Sequence, residues 1–336
     1  MSDIIVQKEE LKSLVVHKLT EAKVSKEHAE DVADVLVHAD LRGVGSHGVL
    51  RTEHYVERMN EGGMNPNPEF RTERKGSSAL LFDGDNGMGH VITKKAMDHA
   101  IQLSKDNGIG IVGIINSSHC GALSYYAQQA AEQDTISMIM THTDSAVVPF
   151  GGADSYFGTN PIAYGFPASK HRPIILDMAT SNVALGKILH ARETGSEIPN
   201  NWGVDGNGTP VTDPSLVKHL LPTGGPKGYG LALIVDVLTG VLTGSAFGPS
   251  ISSMYGDYNN YRHLSHTIIT ISPGLFIDQH QFMQNIDKMI DELHEVKPAE
   301  GFKSVMVPGE PEQLNEEMRQ VEGIPVPESI YNYLES

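Results

Sequence analysis

The sequence predicts an α/β protein with a helical N-terminal part. Two observations carry this. The first 60 residues show apolar stripes at helical spacing, and from about residue 77 short apolar strands alternate with helical segments. A third observation sets a limit: the one glycine-rich run that matches a loop motif lies inside a strand rather than between a strand and a helix.

In order, Leu11, Leu14, Val15 and Leu19 form a first stripe. Val32, Val35, Leu36 and Ala39 form a second, with Ser25 as its N-cap. That helix is expected to end near Gly43 and another to start near Gly48, so Ser46, His47 and Arg51 sit at the junction. His47 and Arg51 are four apart and are expected to share a helix face. Gly62, Gly63, Pro66 and Pro68 form a linker. Then follow a strand at 79–82, a helix at 90–107, a buried strand at 109–115, a helix at 121–133 and a strand at 135–140. Short strands at 161–166 and 173–176 precede a helix reaching Arg192. Segment 228–244 reads as a buried helix, 266–271 as a strand and 278–294 as a helix. The tail 298–327, rich in Pro, Glu and Gly, is expected to wrap the surface. The expected division is a helical domain over 1–70, joined by the tail 298–336, and an α/β core over 71–297.

A chain of 336 residues is long enough for about two domains and a substantial core. Its net charge of −17 argues against nucleic acid and anionic membranes as partners. Cys120 is the only cysteine, so no intrachain disulfide forms. Residues 1–10 lack the pattern of a signal peptide, and the greasiest segment, 231–242, is broken by Asp236 and too short to span a bilayer. The cytoplasm is the expected location.

Gly108-Ile109-Gly110-Ile111-Val112-Gly113 matches G-x-G-x-x-G in letters. That fingerprint works only where a strand turns into a helix and backbone N–H groups meet a pyrophosphate. Here Gly108 reads as a helix stop and the others as strand glycines, so any nicotinamide cofactor is held in another way. Three strands run into polar clusters: Asn116 to Gly121, Thr141 to Ser145, and Asp177 to Ser181. Helix capping accounts for any one of them. All three together with the Ser46-His47 junction point to a site at the carboxyl ends of the strands.

An imidazole moves protons near neutral pH and a guanidinium grips a carboxylate, so His47 with Arg51 suggests chemistry on a small organic acid. A catalytic Cys120 is disfavoured, since its neighbour His119 does not face it on a helix. A discontinuous metal triad of His47, His119 and His142 is the weaker reading, and no metal is expected. Lys227 at the start of the 228–244 helix opposes the helix dipole, which an anionic ligand there would explain. Gly309-Glu310 is a weaker candidate turn.

Ser46-His47-Gly48 with Arg51, Gly158-Thr159-Asn160-Pro161, Asp177-Met178-Ala179 and Pro226-Lys227-Gly228, in that order, resemble the malate/L-lactate/L-sulfolactate dehydrogenase family. The resemblance runs over essentially the whole chain. It implies NAD(P)-dependent oxidoreduction with a non-Rossmann cofactor site, an N-terminal helical domain, a mixed-sheet α/β cofactor domain and a homodimer. Segments 46–58, 147–152 and 252–255 resemble the branch acting on (S)-ureidoglycolate, which implies its NAD-dependent oxidation to oxalurate in allantoin breakdown. The resemblance places NAD against Thr143, Asp177, Met178, Ala179, Lys227, Gly309 and Glu310. His119 falls where the proton acceptor is expected, while His47 holds that role across the broader family, and the choice stays open. Arg51 is expected to hold the substrate carboxylate, Ser46 and His47 the reacting oxygen, and Asp144 a ureido N–H. Three alternatives stand beside this: a malate, lactate or diketo-acid oxidoreductase, a metal-dependent hydrolase or lyase of ureido acids, and a non-catalytic small-acid sensor.

Overall fold

The structure, a computed structural model, describes residues 3–336. The elements run β1 (Asp3–Val6), α1 (Lys8–Glu21), α2 (Lys26–Leu41), α3 (Thr52–Asn60), β2 (Arg71–Arg74), β3 (Ala79–Asp83), α4 (Gly89–Asn107), β4 (Ile109–Ser117), α5 (Ser124–Ala131), β5 (Ile136–Thr141), β6 (Ile162–Phe166), β7 (Ile174–Met178) and α6 (Leu185–Thr194). Then come β8 (Gly203–Val204), β9 (His219–Leu220), α7 (Pro226–Asp236), β10 (Leu264–Ile271), α8 (Gln279–His294), α9 (Glu310–Glu322), β11 (Ile324–Pro327) and α10 (Glu328–Glu335).

The predicted α/β class holds, with a mixed seven-stranded sheet in the order β2-β3-β4-β10-β5-β6-β7. Only β3 and β4 are parallel neighbours. β4 and β5 both run antiparallel to β10, and β7 runs antiparallel to β6, itself antiparallel to β5. The carboxyl ends of β4, β5 and β7 therefore emerge on one edge of the sheet, which brings the three predicted polar clusters to the same side. His266 on β10 pins two of those ends: its Nδ1 bonds Thr141 Oγ1 at 2.6 Å and its Nε2 bonds Ser117 Oγ at 2.7 Å. Burial holds this imidazole neutral, its pKa down at about 3.

The glycine run is strand, as its surroundings suggested. Gly108 closes α4 at φ +83°, and Gly110 pairs with Thr270 across the ladder. A Cβ at Gly110 would lie 2.3 Å from the Ala100 carbonyl oxygen of α4, so glycine lets the helix lie against the strand. One apolar cluster gathers α1, α2, α3, β1, β11 and α10, through Leu11, Val15, Leu36, Tyr55, Ile324 and Leu334 among others. A second lies under the sheet against α4 and α5.

Three expectations need correction. The junction after α2 is not a helix start: Gly45–His47 and Val49–Arg51 form two separate 3-10 turns, split by Gly48 in an extended conformation, and α3 begins only at Thr52. His47 and Arg51 therefore do not share a helix face. The apolar helix at 228–244 is not fully buried. α7, continued by one wide π-type turn, buries Ala232, Val235 and Thr239 but exposes Leu231, Ile234, Val237, Val241 and Leu242. The tail is ordered secondary structure: α9 packs beside α2, β11 pairs with β1, and Val307 packs against Ile174, Ile286 and Ile290.

Candidate active site

The Ser46-His47-Gly48 turn is seated on Asp40, near the end of α2. The buried Asp40 carboxylate accepts the Val49 N–H at 2.7 Å. A Cβ at Gly48 would lie 1.9 Å from Asp40 Oδ1, so only glycine fits over that carboxylate. Burial raises Asp40 to about 7, against the pull of the Val49 N–H and Arg319. Above the turn, the His47 ring stacks on His119 with centroids 5.5 Å apart and planes 25° apart. Ser46 Oγ and His47 Nδ1 share a hydrogen bond of 2.9 Å, and Arg51 Nε donates to the Ser46 carbonyl at 2.8 Å.

His119 follows the end of β4. Its Nδ1 shares a 2.7 Å hydrogen bond with the hydroxyl of Tyr55, which is fully buried on α3. The Gly121 N–H approaches the same nitrogen at 3.3 Å and competes only weakly. Burial, with Arg51 adding to it, lowers His47 to about 4. Burial also carries His119 well below the ordinary histidine range, with His47, His90, Arg51 and Arg262 adding to it. Both rings are neutral at working pH, the state a proton acceptor needs. His90, fully buried in the first turn of α4, stands edge-on to Tyr55 at 4.9 Å and has no hydrogen-bond partner on either ring nitrogen.

A strap before β10 covers this turn. Arg58, 1% exposed, donates to the carbonyls of Met254 at 2.8 Å and Asn260 at 3.0 Å. The strap delivers the Tyr255 hydroxyl to Arg51. It also carries Arg262, which pairs with Asp144 at 2.5 Å. The sequence left Asp144 free for a substrate N–H, but one of its oxygens is committed to Arg262. Tyr55, His90, Tyr255 and Arg262 were missed. A signal for the first existed: Arg51, Tyr55 and Arg58 recur at helical spacing, and the last two are the largest fully buried side chains.

The residues placed around a cofactor form a second group, joined by a chain of backbone hydrogen bonds. Thr143 Oγ1 accepts the Thr159 N–H at 3.0 Å, and Thr180 N–H donates to the Thr159 carbonyl at 2.8 Å. Thr223 N–H donates to Thr180 at 2.9 Å, and Gly228 N–H to Thr223 at 2.8 Å. The end of β7, with Met178 and Ala179, is thereby tied to Thr143 on one side and to the start of α7 on the other. Asn160 fastens the same turn to α7 through the Ala232 carbonyl at 3.0 Å. Lys227 is exposed in the first turn of α7 and has no ion-pair partner among the described residues. Gly309, at φ +88°, lies against β7, where a Cβ would be 2.5 Å from the Ile175 carbonyl oxygen. Glu310 accepts the Val307 N–H at 2.9 Å and meets His294 Nε2 at 3.0 Å.

Some polar groups at the strand ends have structural work. Asp177 accepts the Ser124 N–H at 2.7 Å and caps α5, and Ser118 Oγ accepts the Gly89 N–H at 2.8 Å and caps α4. Cys120 is a small buried side chain, its thiol pushed up to about 12 by burial. His142 bonds Ser265 Oγ at 2.9 Å and lies 3.7 Å from Asp236, so it is committed away from the His47–His119 pair.

Known proteins resemble this chain over nearly its full length. It is 44% identical to the ureidoglycolate dehydrogenase (NAD(+)) of Escherichia coli O157:H7, covering 98% of this chain and 94% of that one. It is 40% identical to the malate dehydrogenase of Pyrococcus horikoshii, over 96% and 91%. The sulfolactate dehydrogenase structure from Methanocaldococcus jannaschii superposes with a TM-score of 0.93 at 37% identity, over 98% and 95%. Residues 6–335 match the family model described as malate/L-lactate dehydrogenase, and the chain belongs to that family.

Proposed function

We propose that the protein oxidises (S)-ureidoglycolate to oxalurate with NAD, a step of allantoin breakdown, in the cytoplasm. The observation that carries the chemistry is the pair of neutral imidazoles, His47 and His119, stacked at 5.5 Å beside a turn whose Ser46 carbonyl holds the Arg51 guanidinium. The 44% identity to the E. coli enzyme supports the choice of substrate.

The residues fit a bound dinucleotide. Lys227, without an ion-pair partner among the described residues, supplies positive charge at a helix N-terminus in a protein of net charge −17. Thr143, Asp177, Met178, Ala179, Gly309 and Glu310 complete the group. When bound, NAD would supply the hydride acceptor for the carbinol carbon. Arg51 holds the substrate carboxylate, and Ser46 and His47 hydrogen-bond the reacting oxygen. His119 takes the hydroxyl proton at Nε2. To do so it carries its own proton on Nδ1, facing the Tyr55 oxygen 2.7 Å away, in place of the 3.3 Å bond that nitrogen accepts from the Gly121 N–H. The carbon loses a hydride and the oxygen a proton, which leaves the 2-oxo acid.

The reading includes a homodimer. α7 carries Lys227 at its start and then an exposed row of Leu231, Ile234, Val237 and Val241, which a second copy of the chain would cover. The test is NADH absorbance with a panel of 2-hydroxy acids. Ureidoglycolate is expected to be the best substrate. Far faster turnover of malate refutes the substrate, and turnover of none refutes the class. Sedimentation at micromolar concentration is expected to give twice the chain mass of 36.4 kDa.

A further inference from the structure

We infer that Arg262 and Asp144 together read the tail of the substrate and select an uncharged tail that offers an N–H beside a C=O, a ureido or carboxamide group. This rests on the site above binding a 2-hydroxy or 2-oxo acid.

Arg262 is 4% exposed and precedes β10. Its Nη2 bonds Asp144 Oδ1 at 2.5 Å, and Nε and Nη2 both donate to the Ser252 carbonyl, at 3.2 and 3.0 Å. Its Nη1 is buried and has no acceptor. A buried guanidinium nitrogen left unpaired is costly, and a ligand oxygen would relieve that cost. Asp144 follows the end of β5 on the same sheet edge as His119, with its side chain 28% exposed. One carboxylate oxygen faces Arg262, and the other has no donor among the described residues.

The strap hands Tyr255 to Arg51 and carries Arg262 to Asp144, so two guanidiniums of different character stand on the side of the sheet where β4 delivers His119. Arg51 has no carboxylate partner among the described residues and would take the substrate carboxylate. Arg262 is neutralised by Asp144 and cannot serve as a second carboxylate clamp. The pair presents one acceptor, the free Asp144 oxygen, and one donor, Arg262 Nη1. A ureido or carboxamide tail complements both, with its N–H on Asp144 and its carbonyl on Arg262. A carboxylate or sulfonate tail brings only acceptors and meets the Asp144 charge. A methyl tail leaves both groups unpaired, the situation in which polar sites discriminate most strongly.

The experiment measures kcat/KM for 2-hydroxy acids that share the carboxylate and carbinol but end in ureido, carboxamide, carboxylate or methyl. It uses the full chain and its Asp144→Asn and Arg262→Lys variants, with circular dichroism to check folding. The native protein is expected to favour the ureido and carboxamide tails by at least about 100-fold. Asp144→Asn is expected to cut that preference at least tenfold and to raise the relative rate of the carboxylate tail, since Arg262 is then no longer neutralised. Arg262→Lys, if folded, lowers the ureido rate more than the methyl rate. Equal losses for all four tails in Asp144→Asn, or a native preference for the carboxylate tail, overturn the inference. Calorimetric binding of oxalurate, oxaloacetate and pyruvate reads the same preference without turnover. If no tail is oxidised, the oxidoreductase reading fails, and tighter binding of oxalurate than of oxaloacetate still decides for this inference, the reverse order against it.

Discussion

Gly48→Ala tests how the Ser46-His47-Gly48 turn is held. The backbone at Gly48 has φ −89°, a value any residue adopts, so the substitution carries no intrinsic strain. Its effect comes from contact alone. The new Cβ would lie 1.9, 2.2 and 2.3 Å from Asp40 Oδ1, Cγ and Oδ2. Asp40 is 7% exposed and cannot swing into water without leaving its 2.7 Å bond to the Val49 N–H. Overpacking costs about 1–3 kcal/mol. The stranded N–H and carboxylate add about 1–3 kcal/mol. A total loss of about 2–6 kcal/mol is expected in urea or thermal unfolding. Because the turn positions Ser46 and His47, a displacement of about 1 Å should lower kcat/KM by about 100-fold. Asp40→Gly in the same chain removes the obstacle, so the double variant should be more stable than Gly48→Ala alone. A Gly48→Ala protein of native stability and turnover, or a double variant no better than the single, refutes the account.

Three further outcomes follow from the same geometry. His119→Asn should lower kcat by about 10²–10⁴-fold with a smaller change in KM, and the acid limb of kcat/KM should fall well below pH 6.5, because the folded protein disfavours the imidazolium; near-native turnover in His119→Asn with loss in His47→Asn reverses the two roles. Lys227→Ala should weaken NADH in calorimetry by roughly 1.5–3 kcal/mol, whereas Gly110→Ala, whose Cβ would sit 2.3 Å from the Ala100 oxygen, should lower the melting temperature and leave NADH affinity unchanged in the folded protein; the opposite pattern would put the cofactor at the glycine run. Asp40 holds its proton up to about 7 when folded and to about 3.8 when unfolded, so native stability falls as pH rises between those values. Asp40→Asn should remove that slope, by up to about 1.4 kcal/mol per pKa unit, and an identical pH dependence in both proteins contradicts the assignment.

What was legible in the sequence was local. Ser25 capped its helix, Gly108 stopped one, and the polar clusters after β4, β5 and β7 stood out because each breaks an apolar run. α9 was legible in principle and missed. Gly309 before it, a proline in its first turn, Glu310 and Glu312 at its start, Arg319 at its end and Gly323 beyond are all boundary signals, masked by a composition that reads as loop. α7 misled for another reason. Apolar composition does not by itself mean burial, and Leu231, Ile234, Val237, Val241 and Leu242 stay exposed.

The rest of the site depended on one placement that no local pattern encodes. β10 lies between β4 and β5, although more than a hundred residues separate it from either. That insertion makes β4 and β5 point the same way and so gathers His119 and Asp144 on one edge. It also fixes where the segment before β10 must run. Arg58 takes the carbonyls of that strap, and the strap brings Tyr255 to Arg51 and Arg262 to Asp144. The site's second guanidinium thus lies 118 residues from the carboxylate that neutralises it. A sequence window can register Asp144 as an acidic residue after a strand. Only the sheet order reveals that it arrives already paired, and therefore that one of its oxygens rather than two is left free.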